Sequence, residues 1–466
     1  MQTGHPTPDA PAAAQAAGAG PVRLGWLDGL RGIAAFVVAL HHGCYHYLPQ
    51  FRHEILRWVD PGHAGVLVFF LVSGYIIPAS LERSGSVRRF WIGRLFRIYP
   101  LLLVVLAATL LVALAGLTPL RQGLGTDFDP LGAALAHLTM MQDLLAVPSA
   151  LNVLWTLSYE MAFYLMVVAL FAAGRANRHS ATIATVLALA ALSLALLLPS
   201  AALSARYGVA PVAVAGFAIM VAAIWAACSS RTAVSRAGAL LGGALAAALV
   251  LFNGRVEPWE GLTLLGVMFA GTAIHRAERR QIRVRAAAVA AGAVLVAAIA
   301  GGLWHLRVWA PGQSEEILKR SWVITILVTA LVFAAGMALR HRAVPRWLAR
   351  LGVISYSVYL VHPVLLMGLD LTIGRPDRDA PWLLVPYLIL VLVLSELTYR
   401  AVEAPLHRYG RRLALAAKEP RSAREDAASP ARRAAPAGSR SEVALAPGTV
   451  TATAASRQTS GHGPGL

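Results

Sequence analysis

Long apolar segments recur along almost the whole chain, and each approaches the roughly 20 residues that an α-helix needs to cross a bilayer. They predict membrane-spanning helices at about 30–48, 62–81, 100–117, 151–173, 181–201, 208–228, 237–253, 259–275, 285–304, 321–340, 350–372 and 382–402. Strands of a membrane barrel would instead show short segments of alternating polarity. The pattern therefore predicts an all-α fold, a polytopic transmembrane helix bundle of ten to twelve spans.

The composition agrees with this fold, because 57% of the 466 residues are hydrophobic and only 14% are charged. A net charge of +18 would also fit a nucleic-acid-binding protein, but the basic residues concentrate in alternate loops. The first of these loops contains Arg83, Arg88, Arg89, Arg94 and Arg97. Cytoplasmic loops of membrane proteins carry such an excess of Arg and Lys. We therefore expect both termini in the cytoplasm, a multi-pass protein of the bacterial inner or plasma membrane, and no nucleic-acid partner.

The two ends of the chain differ from the apolar part. Residues 1–22 are rich in Ala, Pro and Gly and lack a basic start followed by an apolar core, so they predict a disordered segment without a cleavable signal. Residues 413–466 are rich in Ala, Pro, Ser, Gly and Arg and predict a disordered cytoplasmic tail. The transmembrane domain is therefore expected at 23–412. Cys44 and Cys228 fall in separate spans, which argues against a disulfide framework.

Ionisable residues inside an apolar span are energetically expensive, so those in the first span are informative. Arg31 and His42 are eleven residues apart, which places them on one face of a helix with about 16 Å between them. Asp28 lies one turn before Arg31 and is expected to orient it or to cap the helix. Alternatively, Arg31 reaches the lipid headgroups and His42 hydrogen-bonds to a neighbouring helix.

His42 and His46 also have the i,i+4 spacing of helical zinc ligands. A zinc site needs a third protein ligand, and the nearby His53 and Glu54 have no fixed spacing to the pair. We therefore expect no metal. A histidine that acts as a general base fits the residues better, because imidazole chemistry suits proton removal from an alcohol at neutral pH.

Three further segments carry candidate chemistry. Arg94 and Arg97 lie one turn apart if helical and would form a phosphate clamp or bind lipid headgroups. In the fourth span, Glu160 follows Tyr159 and needs a cationic or hydrogen-bonding partner if it is buried, unless it lies at the outer interface. The eleventh span places Ser355, Tyr359 and His362 on one face, as a polar site or as helix-to-helix hydrogen bonds. Glu403 is expected to pair with Arg400 or Arg408.

In this order, the segments resemble the acyltransferase 3 family of membrane acyltransferases over most of residues 24–412. The resemblance rests on six motifs in series, which are Leu27-Asp-Gly-Leu-Arg31 with His42 after ten intervening residues, Phe69-Phe70 with Ser73-Gly74-Tyr75, Arg94-x-x-Arg97-x-Tyr-Pro, Trp155-Thr-Leu-Ser-Tyr-Glu160, Ser355-Tyr-Ser-x-Tyr359-Leu-x-His362, and Glu403-x-Pro405. Any one motif is weak, whereas six in the same order are specific. The family usually shows about ten transmembrane helices.

The resemblance implies transfer of an acyl group, commonly acetyl, from the cosubstrate acyl-CoA to a hydroxyl of a glycan, lipid-linked sugar or secondary metabolite. It makes Arg31 and His42 the essential pair and Arg94 and Arg97 the donor-handling motif. We expect His42 to act as the general base or as a transient acyl acceptor, with Glu160 and Arg31 as orienting or charge-stabilising partners. The supporting polar cluster is expected to contain Asp28, Ser73, Tyr159, Ser355, Tyr359 and His362. No permanently bound cofactor is expected, and membrane lipid surrounds the domain. A membrane carrier or flippase for a polar metabolite or lipid-linked sugar is the alternative function, because a transport pathway would also collect intramembrane polar residues.

Overall fold

The computed structural model describes residues 25–117, 129–174, 179–194, 198–309 and 315–416. All regular secondary structure in these ranges is helical, which confirms the all-α prediction for the described part of the chain. The segment 1–22 lies outside the described residues. So does most of the segment 413–466, because the last helix ends at Ala416.

The described ranges form seventeen α-helices with short connections. They are α1 (Gly25–Tyr47), α2 (Pro49–Leu56), α3 (Pro61–Ser84), α4 (Val87–Leu114), α5 (Pro130–Thr139), α6 (Trp155–Ala172), α7 (Ser180–Leu194), α8 (Ala202–Tyr207), α9 (Val209–Ala227), α10 (Thr232–Phe252), α11 (Pro258–Glu278), α12 (Val284–Trp309), α13 (Glu315–Ala338), α14 (Arg346–Val353), α15 (Ser355–Thr372), α16 (Pro381–Thr398) and α17 (Ala404–Ala416). A 3-10 turn at Asn152–Leu154 precedes α6, and a π-helical turn at Tyr399–Glu403 joins α16 to α17.

Each of the twelve predicted spans coincides with a helix or a helix pair, but fewer of them meet a strict test of length and apolarity. Eight helices of the described chain are long and apolar enough to cross a membrane, or nine if the bent pair α14 and α15 counts as one span. The helix α7 has only 15 residues. The helices α1 and α11 are long enough, but polar residues such as His42 and Glu260 lower their apolarity. The predicted ten to twelve spans are therefore not all independent apolar spans.

The helix α1 is central to the bundle, because it packs against α3, α14, α15 and α16. On its other side α3 packs closely against α11. Glycine permits this contact, since a Cβ built on Gly74 would lie 1.8 Å from the carbonyl oxygen of Met268. The Ser73-Gly74-Tyr75 motif therefore brings two helices together. Ser73 itself is buried beside this contact.

A sharp bend between α14 and α15 sets the direction of the helix that faces α1. The two helices meet at 66° around Ile354. Gly352 at the end of α14 lies against the backbone of Asp28, because a Cβ there would approach the Asp28 carbonyl oxygen to 2.0 Å. The start of α1 thus anchors the bend, and α15 runs from it alongside α1.

Candidate active site

His42 lines a cavity of about 610 Å³ bounded by α1, α2, α4, α15 and the segment before α6. Its Nδ1 donates to the carbonyl oxygen of Val38 at 2.9 Å, one turn earlier in α1. A carbonyl accepts only, so this bond places the ring proton on Nδ1 and leaves Nε2 with a free lone pair. His42 also lines a second cavity of about 130 Å³, together with Asp60 and His63. The geometry presents a neutral imidazole with an available base nitrogen.

His362 on α15 is the nearest second imidazole. The ring centroids of His42 and His362 are 5.2 Å apart, and the His362 Nδ1 donates to the carbonyl oxygen of Val358 at 2.9 Å. His362 is fully buried, and its Nε2 has no hydrogen-bond partner among the described residues. The two imidazole rings therefore lie close together on the neighbouring helices α1 and α15.

The other two residues predicted on the same face of α15, Tyr359 and Ser355, lie in different places. The hydroxyl of Tyr359 donates to the Val153 carbonyl oxygen at 2.9 Å and lies 2.8 Å from the Thr156 hydroxyl, in front of α6. Its ring stacks on Phe69 with 6.3 Å between centroids. Ser355 instead donates to the Gly352 carbonyl oxygen at 2.9 Å within its own chain segment. The structure brings Tyr359 and His362 towards α1, but it leaves Ser355 at the bend.

Arginines collect at the other end of α1. The Arg31 guanidinium lies over the Phe69 ring, 5.5 Å from its centroid. The charges that act on Arg31 are those of Arg97, Glu160 and Asp28. Glu160 and Asp28 therefore act on Arg31 through their charges, while the hydrogen-bond partner of Glu160 is Tyr164. Glu160 lies with the arginines, whereas the charged groups around His42 are His41, His46 and Asp60.

Arg94 completes this end of the site. The helix α4 begins at Val87 and contains both Arg94 and Arg97. The two arginines therefore lie one helical turn apart, as predicted for a helix. The Arg94 guanidinium lies 5.1 Å from the ring centroids of both Phe90 and Tyr164. The Tyr164 hydroxyl donates to Glu160. Aromatic rings and one carboxylate thus hold the guanidinium in place.

Glu403 belongs to the same cluster, contrary to its predicted pairing with Arg400 or Arg408. It is buried, accepts a hydrogen bond from the Ser357 hydroxyl at 3.0 Å, and interacts electrostatically with Arg97 and Arg31. Arg400 pairs instead with Glu396. The π-helical turn at Tyr399–Glu403 adds residues to the turn and carries Glu403 at its end.

A narrow apolar gap runs between the two ends. It has a volume of about 10 Å³ and is lined by Ala34, Ala35, Val38, Gly65, Val66, Phe69, Phe70, Thr156 and Tyr359. Val38, Val66 and Tyr359 also line the 130 Å³ cavity beside His42. Phe69 contacts Arg31. The gap therefore lies beside the middle of α1, between the levels of Arg31 and His42.

Tyr159 lies outside this path, so the expected supporting cluster is not a single group. Its hydroxyl donates to Asp143 at 3.3 Å, on the side of α6 that faces α11. His46 has a partner other than His42, because its Nδ1 bonds to the Asp370 carboxylate at 2.7 Å. In the part of the chain that the structure describes, no three His, Cys, Asp or Glu side chains are arranged to hold a metal ion.

Several residues of the large cavity were missed in the sequence. Asp370 and Arg375 lie on one side of it, and Arg52 lies on another. Asp370 carried a usable signal, because it is a carboxylate inside the predicted span 350–372, where a charge is expensive. Arg52 lies on the short helix α2, which the apolar pattern did not predict. Nothing in its local sequence indicates a site.

The motifs on α1, α4 and α15 lie within a region that matches a known protein family. Residues 24–400 match the sequence profile described as "Acyltransferase domain". The chain belongs to the acyltransferase 3 family. This match covers α1 to α16 and ends within the π-helical turn at Tyr399–Glu403, so α17 lies beyond it.

Named relatives of this acyltransferase 3 chain are bacterial proteins. Acyltransferase MdmB of Streptomyces mycarofaciens is 35% identical over 31% of this chain and 38% of its own length. Peptidoglycan O-acetyltransferase OatA of Listeria monocytogenes is 26% identical over 30% of this chain and 23% of its own length. The "putative membrane-bound transacylase BcsY" of Komagataeibacter xylinus is 27% identical over 84% of this chain and 85% of its own length.

The matches to MdmB and OatA span well under two thirds of those proteins. No solved structure gives a significant match to the chain.

Proposed function

We propose that this chain is a membrane O-acyltransferase that moves an acyl group, most simply acetyl, from acyl-CoA to a hydroxyl of a glycan, lipid-linked sugar or secondary metabolite. One observation carries the proposal. A histidine whose Nδ1 bonds to a backbone carbonyl lines a large cavity, and a narrow apolar gap lies beside α1 between that histidine and a cluster of arginines. Family membership supports acyl transfer as the use of this arrangement.

The arginine end is suited to the donor. Guanidinium groups bind phosphate oxygens through paired hydrogen bonds, and CoA carries several phosphates beside a long thin arm that ends in the thioester. Arg31, Arg94 and Arg97 would hold the phosphates, and the arm would follow the gap along α1 towards His42. The helical distance of about 16 Å between Arg31 and His42 is the distance that the arm must cover.

The histidine end is suited to the chemistry. His42 Nε2 would accept the proton of the acceptor hydroxyl while the hydroxyl oxygen attacks the thioester carbonyl carbon. The carbon–sulfur bond then breaks, and the thiolate of CoA takes the proton from His42 as it leaves. A transient acyl group on His42 is the second route to the same products. Arg31 lies about three turns from His42 on α1, and Glu160 on α6 lies with the arginines, so we assign both residues to the donor end and not to the reacting atoms.

The orientation of the site follows from the basic loops. Because Arg83, Arg88 and Arg89 flank the start of α4 on the side of the arginine cluster, the positive-inside rule places that side in the cytoplasm. Both termini would then be cytoplasmic, and the large cavity beside His42 would open towards the outer face. Acyl-CoA is made in the cytoplasm, so this orientation gives the donor direct access to the arginines.

The test is a thioester assay with purified protein and acetyl-CoA, combined with direct measurement of acetyl-CoA binding. His42→Ala should abolish thioester loss and leave donor affinity within about twofold. Arg94→Gln should weaken donor binding at least tenfold, because hydrogen bonds to charged groups contribute about 1.5–3 kcal/mol. Arg88→Gln is the matched control, since Arg88 is exposed in the first turn of the same helix.

Two outcomes would contradict the proposal. Equal donor affinity in the Arg94→Gln protein would remove the assigned donor site. A thioester that stays intact with every hydroxyl acceptor, while a polar solute crosses the membrane, would favour the carrier function instead.

A further inference from the structure

The wall of the 610 Å³ cavity carries a cationic and aromatic group that the chemistry above does not use. Tyr45 lies three residues after His42 on α1, and 47% of its surface is exposed. The Arg52 guanidinium lies over its ring at 4.5 Å from the centroid, and the Arg375 guanidinium lies at 5.5 Å. All three residues line the cavity.

The two arginines differ in how their charges are balanced. Arg375 donates to the Asp370 carboxylate at 2.6 Å, and the same carboxylate bonds to His46 at 2.7 Å. Arg52 makes no ion pair with any residue of the described chain, and its Nε is buried without a hydrogen-bond partner. The nearby Glu54 interacts with Arg57 instead. The cavity wall therefore holds one cation, Arg52, whose charge no described carboxylate balances.

Tyr45 fixes where this cation lies. A guanidinium over an aromatic face is held by electrostatic attraction, which keeps the donor groups of Arg52 in one orientation. Side chains three residues apart on a helix have Cβ atoms roughly 5–6 Å apart, so Tyr45 is a direct neighbour of His42. The Arg52 guanidinium thus contacts a neighbour of His42 and lies on the wall of the same cavity.

We infer that Arg52, held by Tyr45, binds an anionic group of the acceptor. This inference rests on the proposed function and specifies its substrate class. The acceptor would be a sugar or sugar-like molecule that carries a carboxylate or a phosphate within one ring of the hydroxyl that His42 deprotonates. An anion would supply the charge that the cavity lacks, and the planar guanidinium donates to either group through two hydrogen bonds. Asn152, which also lines the cavity, is placed to bond to a neutral hydroxyl.

The experiment measures binding of matched sugars to the purified full chain. One pair is methyl β-D-glucuronide and methyl β-D-glucoside, which tests a carboxylate. The other is glucose 6-phosphate and glucose, which tests a phosphate. We expect one anionic sugar to bind at least tenfold more tightly than its neutral partner, and the preference should weaken as salt is raised. The pair that shows the preference identifies the anionic group.

Variants assign the preference to Arg52. Arg52→Gln should abolish the preference for the anionic sugar and leave binding of the neutral sugar within twofold. Arg52→Lys should retain part of the preference, because the charge remains while the paired donors are lost. Arg320→Gln is the matched control and should retain all of it. Arg320 also lies over an aromatic ring, that of Trp58 at 4.0 Å, but it does not line the cavity.

Three results would overturn the inference: equal binding of each pair by the unmodified protein, no binding of any of the four sugars, or an undiminished preference in the Arg52→Gln protein. Failure of the proposed function would look different. In that case the anionic preference would remain, but acetyl-CoA would show no His42-dependent thioester loss with the sugar that binds.

Discussion

The imidazole rings of His42 and His362 are neighbours, with centroids 5.2 Å apart, and the Nδ1 of each donates to the carbonyl oxygen four residues earlier. A hydrogen bond to the backbone of its own helix thus orients each ring. Because His362 is fully buried and has an unpartnered Nε2, its polar edge is available to His42 or to the group that His42 activates.

His362→Gln is therefore expected to lower kcat for acetyl transfer at least tenfold, since a positioned proton-transfer group contributes about 10²-fold or more. The KM for acetyl-CoA should stay within twofold, because His362 lies at the opposite end of the gap from the arginines. His275→Gln, which changes a buried histidine on α11, should leave both constants unchanged. A rise in KM with normal kcat would assign His362 to binding instead.

The narrow gap along α1 predicts selection for a short acyl group. Val66 lines both the gap and the cavity beside His42, so Val66→Ala should admit a longer chain. We expect the ratio of kcat/KM for butanoyl-CoA to that for acetyl-CoA to rise at least fivefold, since one methylene in an apolar pocket alters this ratio by about 10-fold or more. Val105→Ala is the control, because Val105 is buried on α4 and lines neither space. An equal rise in both proteins would show that general loosening is the cause.

The close contact of α3 with α11 predicts that Gly74 cannot be replaced. A methyl group at Gly74 would lie 1.8 Å from the Met268 carbonyl oxygen, and this backbone atom cannot move without shifting a helix. Gly74→Ala should lower the free energy of unfolding by about 2 kcal/mol or more. Gly292→Ala should be neutral or slightly stabilising, since a Cβ there meets no atom within 4 Å. Thermal unfolding of the two variants in detergent decides this, and equal Tm values would contradict the packing argument.

Asp143 gives a pH-dependent prediction. It lies between α5 and α6, where burial raises its pKa from 3.8 to about 6 in spite of the charge of Arg255. A carboxyl group with a raised folded pKa destabilises the folded state at pH values above that pKa, and the effect disappears as the pH falls towards the unfolded value. Asp143→Asn should therefore raise Tm at pH 7.5, and the difference should close by about pH 4. A variant that is less stable at both pH values would contradict this sign.

The sequence predicted well those features that depend on local pattern. All twelve apolar segments coincide with helices, because a continuous apolar run of sufficient length has one main structural outcome in a bilayer. The shared face of Arg31 and His42 and the turn between Arg94 and Arg97 follow from helical geometry alone. The short helices α2 and α14 lack such a signal.

Features that depend on distant contacts were harder to predict. His46 and Asp370 meet across 324 positions of sequence, and neither residue indicates the other. Glu403 was assigned to a neighbour in sequence, whereas the π-helical turn and α15 provide its contacts. The position of Glu160 on α6 relative to His42 on α1 also needed the packing of α3 against both helices, which no periodicity specifies.

The polarity of α1 bears on how the protein is made. This helix carries Asp28, Arg31 and three histidines, and it is not among the helices apolar enough to cross a membrane alone. Polar and charged residues oppose the insertion of a helix, and an Asp or Arg at its centre costs about 2.5–3.5 kcal/mol. The helix α1 is therefore expected to settle in the bilayer only after α3 and α15 are present to cover its polar face. The residues proposed for catalysis thus make membrane assembly depend on helices that are synthesised much later.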